Sequence, residues 1–351
     1  MGHGYSAVKW YRFKRGYDGW IAAFIGLFLG AFLLCLYAFA PPGQSYSPVQ
    51  ALIRATGNCA LACLTIILCI GPLARLNRAF LPILFNRRHL GVATFLIALT
   101  HASLVLAWYH YGGSVQPLVS LLTSNSAYTR LAGFPFEALG AAALIWLFVM
   151  AATSHDFWNS NLGPGLWKAL HMGVYGVYAL LIGHVALGAL QRETHPAYLA
   201  ILGTSAALVC GLHVLTALFG ARALAGEEAE AGWIDAGLAS DIPEDRARII
   251  QPPKGERIAV FRYGGKISAL SNVCRHQGGP LGEGRIIDGC VTCPWHGFQY
   301  RPEDGQSPPP FTEKVATYRV RLDARGHVLV DPHPLPPGTP TVPAQLKEIS
   351  A

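Results

Sequence analysis

Residues 274–300 read CRHQGGPLGEGRIIDGCVTCPWHGFQY, with a Cys-x-His string, Cys274-Arg275-His276, and a Cys-x-x-His string, Cys293-Pro294-Trp295-His296. A 2Fe-2S cluster ligated by thiolates on one iron and imidazoles on the other needs two Cys and two His, delivered in such strings. Sixteen residues separate His276 from Cys293, and Gly278, Gly279, Pro280, Gly282 and Gly284 are among them. Glycine and proline here let two tight loops close over one centre from opposite sides. Zinc accepts the same donor atoms, so these four side chains alone leave a zinc site open. Cys290 would form a Cys-x-x-Cys string with Cys293, but it stands in a strand-like run and reads as a buried strand residue.

Working outward, CRHQGGPL and CPWHGFQY resemble the two cluster-binding boxes of Rieske proteins, and the likeness runs from about Gly232 to Pro332. The resemblance implies Cys274 and Cys293 as thiolate ligands and His276 and His296 as imidazole ligands. Gly279, Trp295 and Phe298 stand where the respiratory branch places its loop disulfide and a serine, so the site looks like the ferredoxin and oxygenase branch. Tyr300 departs from that branch and sits where respiratory Rieske proteins have a Tyr that hydrogen-bonds a cysteine sulfur. A donor to sulfur stabilises the reduced cluster and raises its potential.

The segments Arg257 to Phe261, Lys266 to Leu270 and Tyr318 to Leu322 alternate as short strands of a small β-sandwich. Rieske oxygenases add a large domain with a mononuclear iron. Only a Pro-rich stretch follows Pro332, which argues for a one-electron relay instead. The two loops at the tip of the sandwich are expected to expose their imidazole edges.

The preceding two-thirds of the chain has a different composition. Six stretches lack any Asp, Glu, Lys or Arg: Gly19 to Ala40, Ala55 to Ala74, His89 to Tyr109, Ala138 to Ser154, Ala169 to Leu190 and Ala197 to Ala221. Each approaches the ~20 residues a helix needs to cross the hydrocarbon layer. The fold class expected is a multi-pass α-helical membrane bundle of six transmembrane helices followed by a small all-β Rieske-type domain. The boundaries expected are 1–222 for the membrane domain, 223–232 for the linker, 233–333 for the Rieske-type domain and 334–351 for the tail.

Positive charge near the span ends sets orientation. Lys9, Arg12, Lys14 and Arg15 precede the first span, and Arg75, Arg78, Arg87 and Arg88 lie between the second and third. The loop from His110 to Glu137 holds only Arg130. Both termini are therefore expected in the cytoplasm, with the chain resident in the bacterial inner membrane. The net charge of +7 is a topology signal rather than a nucleic-acid surface.

Ionisable residues at membrane depth are functional candidates, and here they are histidines. His101 lies mid-span in the third helix, His184 deep in the fifth, His171 near the inner end of the fifth, and His89 at the inner end of the third. A b-type haem takes one neutral imidazole from each of two facing helices. At 1.5 Å per residue, His89 and His101 differ by about 18 Å in depth and His171 and His184 by about 20 Å, so His89 levels with His171 and His101 with His184. The steps turn roughly 120° and 220° about an ideal helix, so a tilt or bulge is required to align each pair. His110 and His155 at span ends read as solvated, and His213 as a packed or water-facing residue.

GPLARL (Gly71 to Leu76), RRHLGVATF (Arg87 to Phe95) with His101, and ATSHDFWNSNLGPGLWKALHMGVY (Ala152 to Tyr175) with His184 are similar to the ferric-reductase-type transmembrane family, in its MsrQ-like branch of haem b membrane proteins. The resemblance implies haem ligation by His101, His171 and His184; His89 stands where that branch often has an apolar residue. No Gly-rich dinucleotide fingerprint or flavin box is present, so NAD(P)H oxidation would need a separate reductase.

Together these readings predict an oxidoreductase-type relay in the lipid bilayer. A cytoplasmic reductase or ferredoxin would reduce a Rieske-type 2Fe-2S cluster, and one or two b haems would pass electrons to an outer-face redox protein, quinone or metal ion. A haem and iron-sulfur redox sensor, or a quinone-linked relay running the other way, are the competing expectations.

Overall fold

The structure, a computed structural model, describes residues 12–40, 43, 45–77, 80–84, 87–131, 133–154, 156–191, 196–220, 227–228 and 232–346. Lys9, Arg78, His155 and most of the expected linker lie outside these residues.

The amino-terminal part is helical: α1 (Arg12–Ala38), α2 (Pro48–Leu76), the single turn α3 (Leu81–Leu84), α4 (Arg87–Val105), α5 (Pro117–Thr123), α6 (Phe136–Ala152), α7 (Asp156–Met172), α8 (Val174–Leu187) and α9 (Pro196–Gly220). Among the described residues, five apolar stretches are long enough to cross a membrane, in α1, α2, α4 with its extension, α7–α8 and α9. The remaining expected span, the fourth in chain order, is α6, an apolar helix of 17 residues.

Local chemistry explains the helix limits. Ser47 Oγ accepts from the Gln50 amide while Gln50 Oε1 accepts from the Ser47 amide, and Pro48 occupies the first turn, where its missing N–H costs nothing. α4 widens at its end into a π-helical turn, Leu106–His110. The following segment, read as a loop, contains α5, capped by Gln116 Oε1 at the amides of Leu118 and Val119. His110 is buried there with Nδ1 3.0 Å from Ser120 Oγ, which corrects its expected solvated role: α5 folds over it.

α2 is the central helix. It packs against α1, α4 and α9, while α6 packs against α4 and α8. Leu64, Leu68, Ala143, Leu147, Val177 and Tyr178 close the interior. Leu27, Leu34, Phe148, Leu199 and Leu218 point outward, the apolar exterior that hydrocarbon requires.

The carboxyl-terminal part is all β: β1 (Glu227–Glu228), β2 (Ile234–Leu238), β3 (Arg246–Ile250), β4 (Ile258–Tyr263), β5 (Lys266–Ser271), β6 (Arg285–Ile287), β7 (Cys290–Thr292), β8 (Gln299–Tyr300), β9 (Thr317–Tyr318), β10 (Val320–Leu322), β11 (His327–Val330) and β12 (Ala344–Gln345). One sheet runs β1-β2-β11-β10, a second β12-β5-β4-β3 with β9 on β5, and the third, β6-β7-β8, carries the second cluster loop. In β4, Ile258 and Val260 enter one core while Ala259 and Phe261 enter the other, so both faces of the strand are covered. Cys290 is the first residue of β7 and half-buried. The chain beyond Pro332, expected as a tail, folds back through residue 346. β12 pairs with β5, and Leu346 packs on the core.

Candidate functional site

The two cysteine loops have the same hydrogen-bond plan. The Cys274 amide donates to the Gly279 carbonyl (2.9 Å) and the Gly278 amide to the Cys274 carbonyl (2.6 Å); the Cys293 amide donates to Phe298 (2.8 Å) and Gly297 to Cys293 (2.9 Å). Each loop closes at a glycine with φ of +71°, Gly278 and Gly297, a left-handed conformation that penalises other residues. A Cβ on Gly279 would stand 2.7 Å from Cys293 Sγ, so the loops approach as closely as the absence of a side chain permits.

These loops bury both cysteines to 1% exposure. The imidazoles of His276 and His296 lie 5.5 Å apart, ring to ring at 82°, and both Nδ1 atoms are buried. Two sulfurs on one side and two imidazoles on the other fit a diiron cluster.

Tyr300 reaches the same place from β8. Its hydroxyl is 3.3 Å from Cys274 Sγ and accepts from the amides of Arg275 (3.1 Å) and His276 (3.3 Å). Burial, reinforced by the charge on Cys274, pushes the phenol far above its usual value, so it remains a donor. Cys293 is likewise raised, first by burial and then by Cys274. Burial opposes ionisation of Cys274 too, but hydrogen bonds from Cys293, Tyr300 and the amides of His276 and Gln277 outweigh it and lower its value.

The second group of residues lies in the helical part. His101 Nδ1 is 2.9 Å from the Ile53 carbonyl of α2, and His184 Nδ1 is 2.8 Å from the Phe136 carbonyl of α6. Both partners lie 48 positions earlier in the chain, and four residues past each partner is a glycine, Gly57 or Gly140. A Cβ at Gly57 would be 2.9 Å from the His101 ring, and one at Gly140 would be 2.8 Å from the His184 ring. The pairs α2–α4 and α6–α8 therefore hold their imidazoles by one repeated device. A carbonyl acceptor fixes the proton on Nδ1 and turns the Nε2 lone pair toward a metal.

His171 Nδ1 is 3.0 Å from the Trp167 carbonyl, and His89 Nδ1 is 2.6 Å from the Asp18 carboxylate on α1. The Ser154 carbonyl accepts from Arg88, while its Oγ is 3.3 Å from His171 Nε2, which levels His171 with the start of α4. Between His171 and His184 the helix is interrupted at Gly173, where the Trp146 indole fills the space of a Cβ, whereas α4 runs unbroken from His89 to His101. His213 is a packed residue, its Nε2 2.9 Å from the Tyr175 hydroxyl.

The two groups meet. Trp295 and His296 rest on Trp167 of α7, with ring centroids 5.7 Å away in both cases. The Arg87 guanidinium lies 5.7 Å over Trp295, and Arg75 pairs with Glu283 at 3.2 Å. His296 is therefore only 3% exposed, which corrects the expectation of a bare imidazole edge: the helical bundle covers it. Sequence reasoning did not single out Trp167, Asp18, Gly57 or Gly140. Only the matched spacing of 44 between each glycine and its histidine could have pointed to Gly57 and Gly140.

The structure thus joins apolar helices carrying histidines to a β domain whose Cys/His loop pair docks on one end of the bundle. Residues 56–182 match the family model of the ferric reductase like transmembrane component, and residues 232–319 match that of the Rieske [2Fe-2S] domain. The carboxyl-terminal part belongs to the Rieske family, and a ferric-reductase-like transmembrane domain precedes it in the same chain. Over 146 residues the chain is 34% identical to the protein-methionine-sulfoxide reductase heme-binding subunit MsrQ of Bordetella pertussis, covering 41% of this chain and 65% of that protein. The corresponding subunit of Polaromonas naphthalenivorans is 29% identical over 161 residues, 44% of this chain and 68% of that protein. The anthranilate 1,2-dioxygenase ferredoxin subunit of Burkholderia cepacia is 36% identical over 96 residues, 26% of this chain and 85% of that protein. The chain thus spans about 65% of the length of the first of these relatives. The Rieske match implies a 2Fe-2S cluster, and the MsrQ relatives are heme-binding subunits.

Proposed function

We propose that the chain carries single electrons across the bacterial inner membrane, from a cytoplasmic reductase or ferredoxin to an acceptor at the outer face. The observation that carries this reading is the seating of His296 and Trp295 on Trp167 of α7, one turn from His171, which brings the cluster loops into ring contact with the helix that bears that histidine. When bound, the cluster and the haems each accept and release one electron.

The chain's own residues supply everything else. Cys274, Cys293, His276 and His296 hold the cluster, and Tyr300 tunes it through the Cys274 sulfur. His101 and His184 hold the outer haem, each aligned by a carbonyl; His171 and His89 hold the inner one, His89 aligned by Asp18 as carboxylates align metal-ligating imidazoles. The apolar bundle excludes water and keeps the dielectric low. The head sits at the end of the bundle bearing Arg75, Arg87 and Arg88, which favours a cytoplasmic head by the positive-inside rule.

A potentiometric titration of the purified full chain, followed by optical and EPR spectroscopy, tests the reading. Two b haems and one cluster whose potentials permit transfer between them are expected. A chain that binds zinc in the head, or whose reduced cluster fails to reduce haem, removes the relay.

A further inference from the structure

Trp167 is buried to 8% exposure at the end of the bundle, where an indole ordinarily anchors a helix by reaching the headgroup layer. Trp158 on the same helix is 48% exposed and Trp20 on α1 is 79% exposed, so burial sets Trp167 apart. Its ring stacks on His171 with centroids 3.9 Å apart and planes 24° apart, and it also meets His296 edge-on at 5.7 Å and 84°. The indole is held in that pose by Nε1 donating to the Thr153 carbonyl at 3.0 Å.

One aromatic ring thus touches a cluster ligand and a haem-side histidine at once. An unsaturated ring couples donor and acceptor orbitals over short gaps far better than an aliphatic side chain or a water-filled space of the same width. Nothing else in the described contacts joins the two histidines so directly. Arg75–Glu283 and Arg87–Trp295 clamp the head beside this ring and maintain the contact.

We infer that Trp167 is the electron bridge between the cluster side, at His296, and the membrane haem side, at His171; the inference rests on the relay reading above. One electron leaves the reduced cluster and one haem iron gains it, the electron having entered from a cytoplasmic one-electron donor protein. No bond forms or breaks, and the indole stores no charge. Trp167 is a positioning and coupling residue, while the ligands remain the four cluster residues and the membrane histidines. His296 then faces inward, and His276, which is half-buried, is the imidazole nearer solvent.

The test uses the full chain in lipid nanodiscs, with one electron injected into the cluster by a laser flash and haem reduction followed optically. Trp167→Leu is expected to slow cluster-to-haem transfer by an order of magnitude or more. The cluster EPR signal, both midpoint potentials and the dipolar distance from the cluster to a spin label on α9 are expected to stay at their wild-type values. Trp167→Phe, which keeps a ring, should transfer nearly as fast as wild type. Trp167→Met, with its flexible unsaturation-free chain, repeats the test should the Leu variant load no haem. Wild-type rates in the Leu or Met variant overturn the bridge and leave the relay intact. A slower rate that appears only with a lengthened label distance also overturns it, since Trp167 would then be a docking residue alone. Failure of the wild-type chain to reduce haem from its cluster instead overturns the relay and the bridge with it.

Discussion

Arg75 Nε, in the last turn of α2, stands 3.2 Å from Glu283 Oε1 in the turn that follows the first cysteine loop. The Glu283 side chain is only 10% exposed whereas Arg75 is 54% exposed, so the carboxylate is the member with no alternative in water. The pair ties the head to the helices across a sequence separation of 208 residues.

Arg75→Ala should therefore loosen the head rather than unfold it. A half-exposed pair contributes about 1 kcal/mol or less, with an added desolvation cost of about 1–3 kcal/mol for the stranded carboxylate. Pulsed EPR between the cluster and a spin label on α9 is expected to show a broadened distance distribution, and Glu283→Gln in the same chain should narrow it again. An unchanged distribution in Arg75→Ala would show that the aromatic contacts alone seat the head.

Tyr300→Phe removes the hydroxyl 3.3 Å from Cys274 Sγ while preserving the buried ring. A neutral hydrogen bond contributes about 0.5–1.5 kcal/mol, and a tenfold change is about 59 mV for a one-electron couple, so the midpoint should fall by roughly 20–60 mV. An EPR-monitored titration reads this directly; a rise would reverse the role assigned to the phenol.

Replacing His276 or His296 with Ala should abolish the low-average-g EPR signal and leave the haem optical spectrum in place. The two centres depend on separate ligand sets in separately packed cores. Loss of both signals together would mean that the head and the bundle fold as one unit.

Gly57→Ala and Gly140→Ala test the repeated imidazole device. Each new methyl would meet a ring at 2.9 or 2.8 Å, well inside contact distance, and overpacking of this kind costs about 1–3 kcal/mol. The expected result is reduced haem content per chain by pyridine haemochrome assay, with the Rieske EPR signal retained. Full haem loading in both variants would place the haem away from His101 and His184.

His89→Ala should lower the count from two b haems to one, with the inner haem lost. Asp18→Asn should shift the spectrum of that haem while leaving it bound, because the amide still fixes the ring but donates less electron density. One haem in the wild type, unchanged in His89→Ala, would make the His89–Asp18 contact a structural ion pair.

The sequence was sufficient for the parts whose chemistry is local. The Cys-x-His and Cys-x-x-His strings, and apolar runs of about 20 residues, carry their meaning within a few turns of chain: donor atoms must be close in a loop to close on a cluster, and a lipid-crossing helix must hide its polar backbone within itself. His101 and His184 stood out as candidates for the same reason, since an ionisable side chain at membrane depth is costly. Relations between distant residues were decided only by the tertiary structure. Whether an imidazole edge is bare or covered depends on what packs against it, and Trp167, 129 residues before His296, covers it. A carbonyl carries no side-chain signature, so the clasps of Ile53 on His101 and Phe136 on His184 could not be read in one dimension. The stretch after Pro332 looked like a tail because prolines break regular structure, yet β12 pairs with β5, and a two-residue pairing and a half-buried Leu346 hold it there. Composition and motif fixed the donors; packing decided how they are joined.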